Sequence, residues 1–412
     1  MESLEFQSLF AAPIRNGIYK SKEFQGRGVR LVKMNQLFSE RRLHSQSEGY
    51  ELIDLTDKEE QALLLQKNDL LFSRTSVVAD GVGKCSIIAE VEEKLTWDSN
   101  IIRVRLNPNF ACPQFYFYFF NSSHGRDVVK RLSSGAAITT ITGSGLAASH
   151  VPAPALPIQR RIASILSAYD DLIENSQRRI QILEQMSRAL YREWFVKFRY
   201  PGHESVPLVP SPLGEIPQGW ELKPAPDCID VNPRVSVPRD GEKPFVPMGC
   251  LSNNSMVIAD VESREGSSGS KFRNGDTLFA RITPCLENGK TGFVQFLPDA
   301  DSVAFGSTEF IVLRSRSLTP EFVYCLARSE EFRSVAIKSM SGASGRQRVQ
   351  EKCFDSIQIA QPPQPLLDKF STVAAPGFSL VFALHAQVQN LRRTRDLLLP
   401  RLISGQIDLD AA

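Results

Sequence analysis

The chain has 412 residues, more than one core of ordinary size holds, since domains usually run about 100 to 200 residues. Its 42% apolar and 23% charged residues exclude the disordered and fibrous classes. With 48 Lys+Arg against 46 Asp+Glu the net charge is only +2, so any nucleic-acid surface must be local rather than global.

The first residues, MESLEFQSLF, lack the basic start and apolar run of a signal peptide. No stretch reaches the roughly 18 uninterrupted apolar residues of a membrane span. A cytoplasmic protein with no membrane role is expected. Seven cysteines stand singly without any C-x-x-C, so neither a zinc site nor a disulfide framework is indicated; reduced, mostly buried thiols are expected.

In chain order, period-2 alternation and Gly/Asn turns predict short strands at 29–38, 70–77, 84–90 and 101–106. Two short helical pieces follow, opened by Pro113, then a Ser/Gly/Thr loop at 133–149 and a Pro-rich run at 151–157. A long helix closes this half, from Ile158 to about Lys197.

The second half repeats the first. Asn68-Asp69-Leu70-Leu71-Phe72-Ser73-Arg74-Thr75 matches Gly275-Asp276-Thr277-Leu278-Phe279-Ala280-Arg281-Ile282 at an offset of 207. Pro113 to Tyr118 against Pro320 to Cys325, and Ser134-Gly135-Ala136 against Ser341-Gly342-Ala343, share that offset. Gly83-Lys84 matches Gly289-Lys290 at 206, and the strand at 102–106 matches 310–314 at about 208. Collinear matches at nearly constant offset indicate a duplicated unit, each an α+β globule followed by a rod.

The rods carry heptads. In the first, Ile162, Tyr169, Ser176, Leu183 and Leu190 recur every seven residues, with Ile165, Leu172, Arg179 and Met186 three places later. Ile173, Ile180 and Trp194 widen the stripe. In the second, Leu384, Leu391 and Leu398 continue from Phe370, flanked by Val381, Val388 and Leu402. The expected architecture is two mixed β-sheet domains with short helices, separated by two long helices that pack as an antiparallel coiled-coil spacer with pseudo-twofold symmetry. The alternative is that each helix packs only on its own globule. Pro376-Gly377 predicts a kink or restart in the second rod.

No fragment makes a catalytic constellation. Gly81-Val82-Gly83-Lys84-Cys85 and Asn288-Gly289-Lys290-Thr291 lack the leading Gly of a phosphate-binding loop and read as β-turns carrying Lys. Asn107-Pro108-Asn109-Phe110 reads as a turn, and the five histidines lie far apart. Binding features do better. Arg346, Gln347 and Arg348 sit in a loop, and such side chains make paired hydrogen bonds to guanine and adenine edges. The counterpart loop, Ala136 to Thr142, offers the hydroxyls of Thr139, Thr140 and Thr142. Between 333 and 352 there are five basic residues (Arg333, Lys338, Arg346, Arg348, Lys352) against one acidic, a face suited to phosphates. Arg27, Arg30, Arg41 and Arg42 are candidates in the first unit, and the turn lysines Lys84 and Lys290 complete the DNA-binding set. Arg74 and Arg281, at matching strand positions, are expected in structural ion pairs.

Two diverged globules carrying D-[LT]-L-F-[SA]-R, an S-G-A loop, a Pro-rich run into Ile158-Gln159-Arg160-Arg161-Ile162-Ala163, and Leu213-Gly214-Glu215-Ile216-Pro217-Gln218-Gly219-Trp220-Glu221 opening the second unit resemble the DNA specificity subunit of type I restriction-modification systems. The junction resembles that family's P-P-x-x-E-Q-x-x-I-A, with Gln159-Arg160 and Leu366-Leu367-Asp368 in place of Glu-Gln, and the first unit has no I-P-x-G-W. The resemblance implies a first target recognition domain at 1–157, a first spacer helix at 158–199, a second target recognition domain at 200–365, and a second spacer helix with C-terminal tail at 366–412.

It further implies a non-catalytic subunit that reads a split site in double-stranded DNA. The helices, through Ile162, Ile165, Tyr169, Leu172, Leu183, Met186, Leu190, Leu384, Leu391 and Leu398, would form the spacer and dock two methyltransferase subunits, with restriction/translocase subunits completing the assembly. No cofactor is expected in this chain; S-adenosylmethionine, ATP and Mg would act in the partners. The competing readings are a duplicated protein-binding scaffold with no DNA role and, ranked last, an orphan methyltransferase.

Overall fold

A computed structural model describes residues 3–77, 79–135, 139–238, 240–343 and 345–407. Two compact units emerge, one of residues 1–173 with 390–412, the other of 174–389, so each long helix contributes a part to both.

In the first unit a five-stranded sheet runs in the order Phe10–Asn16, Ile101–Leu106, Leu70–Ser73, Cys85–Glu90, Arg42–His44. All pairings are antiparallel except the last. Its central strands are buried almost throughout, Arg103 included, because both faces are covered. The helix Pro113–Asn121, with proline in its first turn, supplies one cover: Phe115, Tyr116, Phe119 and Phe120 are fully buried. A three-stranded sheet has Gln25–Val32 at its centre, antiparallel to Glu51–Ile53 on one side and parallel to Leu95–Trp97 on the other. The strand expected at 29–38 stops at Val32, and Met34–Ser39 is helical. The cause is local, since the Lys33 N–H donates to the Gln36 side chain at 3.0 Å and turns the chain.

The second unit repeats the plan. Ile229–Val231, Phe310–Ser315, Thr277–Ala280 and Thr291–Phe293 form one sheet, Glu262–Arg264, Lys243–Val246, Val303–Gly306 and Ser270–Arg273 another. Helices Pro320–Arg328 and Glu330–Lys338 are capped by Thr319 and Ser329. The pairings fix the equivalence of the halves: Ile101 sits opposite Ser73 as Phe310 sits opposite Ala280, an offset of 209 at this strand rather than about 208. Ser3–Glu5 pairs with His150–Pro152 as Glu221–Pro224 pairs with Gln358–Gln361. Trp220 of the I-P-x-G-W motif is buried among Phe198, Tyr200 and Phe195, with ring centroids 5.2, 5.6 and 6.1 Å away, so that motif anchors the end of the first helix.

The long helices span Leu156–Tyr191, continued by a π-helical turn at Arg192–Val196, and Gln364–Ile403. They pack antiparallel. In the first unit Ile162 and Leu166 share a core with Leu399 and Leu402; in the second, Ile180 and Trp194 share one with Phe370, Val381 and Leu384. At the start of the first helix, buried Gln159 does what the sequence comparison left open: its carbonyl accepts from the Cys112 N–H at 2.8 Å and its amide donates to the Pro154 carbonyl at 2.8 Å.

The seam of the first helix is one residue out of the register read from hydropathy. Its buried positions are Leu166, Ile173, Ile180, Ser187 and Trp194, seven apart, with Ala163, Asp170, Glu184 and Tyr191. Ile162 and Ser176 are buried as expected, whereas Leu172 and Met186 are exposed and Ile165, Tyr169, Leu183 and Leu190 only half-buried. The physical reason is that Asp170, Glu184 and Ser187 lie in the seam with their polar atoms satisfied, so apolarity alone selects the neighbouring stripe. In the second helix Leu367, Ala374, Val381, Val388, Arg395 and Leu402 repeat every seven residues; Leu384 is buried, and Leu391 and Leu398 are half-buried. No restart occurs at Pro376-Gly377: the helix is continuous, held by buried Ala374 and Phe378 on either side, and a Cβ at Gly377 would stand in ordinary contact, 3.7 Å, from the Ser187 hydroxyl. By length and composition alone this helix could cross a membrane, with mean hydropathy 1.2 over its richest 18 residues, of which 28% is buried; Phe370, Phe378, Val381 and Leu384 of this helix lie in the core of the second unit.

Candidate nucleic-acid interface

The repeated motif D-x-L-F-x-R places its aspartate, not its arginine, in the strongest interaction. Asp69 accepts from Arg105 Nε and Nη2, both at 2.7 Å, and also from the Gln66 N–H. Asp276 accepts from Arg314 Nε at 2.7 Å and Nη2 at 2.6 Å, and from the Arg273 N–H. These pairs pin the end of one central strand to the next.

The arginine of the motif is where the halves diverge. Arg281 Nη1 meets Glu351 at 3.0 Å, the ion pair expected. Arg74 has none among the described residues, against expectation. Its N–H donates to the Asn100 carbonyl and its carbonyl accepts from the Ile141 N–H, as Arg281 does with Glu309 and Val349, so Ile141 stands for Val349 and Gly143 stands for Glu351. The partner carboxylate is simply missing from the first unit.

The same frame aligns the loops. Ser134 and Thr140 exchange two backbone hydrogen bonds at 3.0 and 2.8 Å; Ser341 and Arg348 exchange theirs at 3.0 and 2.9 Å. Thr140 therefore occupies the place of Arg348, and Asn100 that of Glu309. Gly135 and Gly342 both lie at positive φ, 109° and 127°, which explains the recurring S-G-A. Ala136, Ala137 and Ile138 of the first loop and Ser344 of the second lie outside the described residues.

Of the loop candidates, Arg346 is exposed and forms no side-chain hydrogen bond or ion pair among the described residues. The backbone of Gln347 is tied to Thr283. Arg348, the base reader the sequence favoured, is gripped by Glu309, with Nε 3.0 and 2.9 Å from its two oxygens and Nη2 bonded as well. That bond holds the Glu309 carboxyl below its ordinary range and leaves Nη1 of Arg348 outside the pair. Thr139 and Thr140 pair with Ser76 and Thr75 as a short two-stranded ladder, while the Thr142 hydroxyl caps the helix Gly143–Ala147.

The turn lysines are engaged internally: Lys84 Nζ lies 4.7 Å over the Phe38 ring, and Lys290 Nζ donates to the Met248 carbonyl at 3.1 Å. Both turns have glycine at positive φ, Gly83 and Gly289. Arg27 pairs with Asp54 (2.9 Å), Arg30 with Glu93 (2.7 Å) and Arg42 with Asp171 (2.6 Å). Arg41 lies beside the end of the second long helix; desolvation and the neighbouring Arg395 charge lower its pKa. Lys352 is exposed and lines a cleft of about 580 Å³ with Asp230, Arg234, Glu351 and Asp355; a second cleft of about 600 Å³ shares Arg234 and adds Lys271. Among the described residues no group of three or more His, Cys, Asp or Glu could hold a metal ion. The sequence alone leaves Arg74 in an expected ion pair; the signal against it is Gly143 at the place of Glu351, readable only once the loops are aligned by their hydrogen bonds.

Comparison with known proteins bears on the family and the fold. Residues 14–185 match the family described as type I restriction modification DNA specificity domain. The chain is 25% identical over 316 residues to the type I restriction enzyme MjaIX specificity subunit of Methanocaldococcus jannaschii, covering 72% of this chain and 69% of that protein. It is 32% identical over 156 residues to the EcoEI specificity subunit of Escherichia coli, covering 36% of this chain and only 26% of that protein. Its fold resembles the crystal structure of a type I restriction-modification S subunit from M. genitalium, at TM-score 0.58 and 14% identity, covering 97% and 95% of the two chains.

Proposed function

We propose that the chain, whose residues 14–185 match the type I restriction modification DNA specificity domain, is a specificity subunit of that family, and that its two units are target recognition domains reading the two halves of a split duplex site. It recognises DNA sequence for an assembly whose chemistry lies elsewhere. The observation that carries the two-reader reading is the shared loop frame with different side chains: Thr139, Thr140 and Asn100 on one copy, Gln347, Arg348 and Glu309 on the other. One scaffold with two chemistries suits two different half-sites.

In this reading the recognition domains are 1–157 and 200–365, with spacer helices at 158–199 and 366–412. Arg346, Gln347, Arg348 and Lys352 face DNA in the second domain; Thr139, Thr140 and Thr142, with Arg27, Arg30, Arg41 and Arg42, serve the first. Lys84 and Lys290 are secondary, since both have internal partners. The exposed apolar side chains Leu172 and Met186 on the first helix dock methyltransferase subunits, two per chain, and restriction/translocase subunits complete a cytoplasmic complex. S-adenosylmethionine, ATP and Mg act in those partners.

The test is co-purification with methyltransferase subunits followed by mapping of methylated positions in DNA. A single split, asymmetric motif is expected. An active assembly that methylates without sequence preference overturns the reading.

A further inference from the structure

We propose that Arg74 is a DNA-contacting residue of the first unit, freed for that role because Gly143 replaces the carboxylate that occupies its counterpart; this rests on the DNA-reading function above. The two arginines are held by the same backbone bonds. Arg74 donates its N–H to the Asn100 carbonyl at 2.8 Å and accepts from the Ile141 N–H at 3.0 Å; Arg281 donates to Glu309 at 3.0 Å and accepts from Val349 at 2.8 Å. The register runs on without a gap, since Val151 pairs with Leu4 at the place where Ile359 pairs with Lys223.

Within this common frame the charge pattern differs. The second unit surrounds its arginines with two carboxylates, Glu351 on Arg281 and Glu309 on Arg348. In the first unit both places are neutral, Gly143 and Asn100, and the place of Arg348 is Thr140. The first unit thus has one arginine at this locus, half-exposed and without an ion pair among the described residues, beside the hydroxyls of Thr75, Thr139 and Thr140. A guanidinium offers five N–H donors that match phosphate oxygens or the paired acceptors of guanine, and a neutral hydroxyl surround does not compete for it. Among the described residues at this locus the two units therefore place an unpaired cationic group differently, Arg74 on the strand end in the first and Arg346 in the loop of the second.

Reciprocal substitutions in the full chain test this by selection from a randomised duplex library, with melting temperature measured alongside. Arg74→Ala is expected to weaken binding roughly tenfold to a hundredfold without lowering the melting temperature. A loss confined to one half of the selected motif identifies a base contact, and an equal loss on all duplexes a phosphate contact; either supports the role. Gly143→Glu, which restores the missing carboxylate, should reproduce the loss, while Gly143→Gln should not. The position accepts a side chain, because the nearest atoms a Cβ there would meet are those of Ile14, in ordinary contact from 3.6 Å, and the backbone is not left-handed. Arg281→Ala should instead lower the melting temperature. Unchanged binding by both Arg74→Ala and Gly143→Glu, with a split motif still selected by the parent chain, overturns the role of Arg74 alone; no motif selected by the parent chain overturns the DNA-reading function itself.

Discussion

The carboxylate of Asp276 receives two parallel hydrogen bonds from Arg314, Nε to Oδ1 at 2.7 Å and Nη2 to Oδ2 at 2.6 Å, and is itself only 1% exposed. Asp69 and Arg105 repeat this geometry in the other half. The most recognisable aspartate of the duplicated motif is thus a structural anchor.

Removing one partner of such a pair leaves a buried charge unmatched. Asp276→Ala should destabilise the second unit by about 3 to 5 kcal/mol. Urea denaturation followed by fluorescence checks it, and a cost below about 1 kcal/mol would show the pair to be dispensable.

Glu184 gives a pH-dependent case. Burial raises its pKa above the ordinary 4.5, although Ser255 Oγ and the Met256 N–H both donate to it at 2.7 Å. A carboxyl with a raised folded pKa contributes stability that is complete below its unfolded pKa and declines as pH rises through the folded one. Glu184→Gln keeps the acceptor and removes the titration, so its melting temperature should equal or exceed the parent's near pH 8 and the difference should shrink towards pH 4. Glu184→Ala, which orphans the Met256 N–H, should be less stable at every pH.

In the first unit, buried Asp170 accepts from Arg395 Nη1 and from the Tyr118 hydroxyl at 2.7 Å. This polar layer fixes the register of the two helices there. Arg395→Ala should cost about 3 kcal/mol or more, whereas Asp170→Leu with Arg395→Leu should recover most of it. A double variant no more stable than the single one argues against a self-contained pair; thermal melts of both decide.

The long helices carry a prediction about the gap. Inserting four residues between Ser176 and Arg179 shifts the buried stripe and should abolish binding to the parental split site while each half-sequence is still preferred. Binding selections with varied spacing read this out, and unaltered affinity for the parental spacing sinks the spacer role.

Arg348 carries the last. Arg348→Ala should lose roughly 1 to 3 kcal/mol on one half-site only, if the edge left outside the Glu309 pair reads a base. Competition assays with each half-site altered in turn measure it; a uniform loss reassigns the residue to phosphate.

Much of this architecture is local information. The duplication, the prolines opening Pro113–Asn121 and Pro320–Arg328, the glycine turns at Gly83 and Gly289, and both long helices are legible because each depends on neighbours a few residues away. Tertiary structure decided which stripe of the first helix is buried, because Asp170 and Glu184 find partners 225 and 72 residues away that no hydropathy period records. It also decided which arginines are free. Arg281 and Arg348 are neutralised by carboxylates 70 and 39 residues distant, and among the described residues Arg74 is not, because the chain brings glycine to the place where a glutamate would stand. A charge in a sequence becomes a binding group only when folding leaves it unpaired, and that is settled by contacts between segments far apart in the chain.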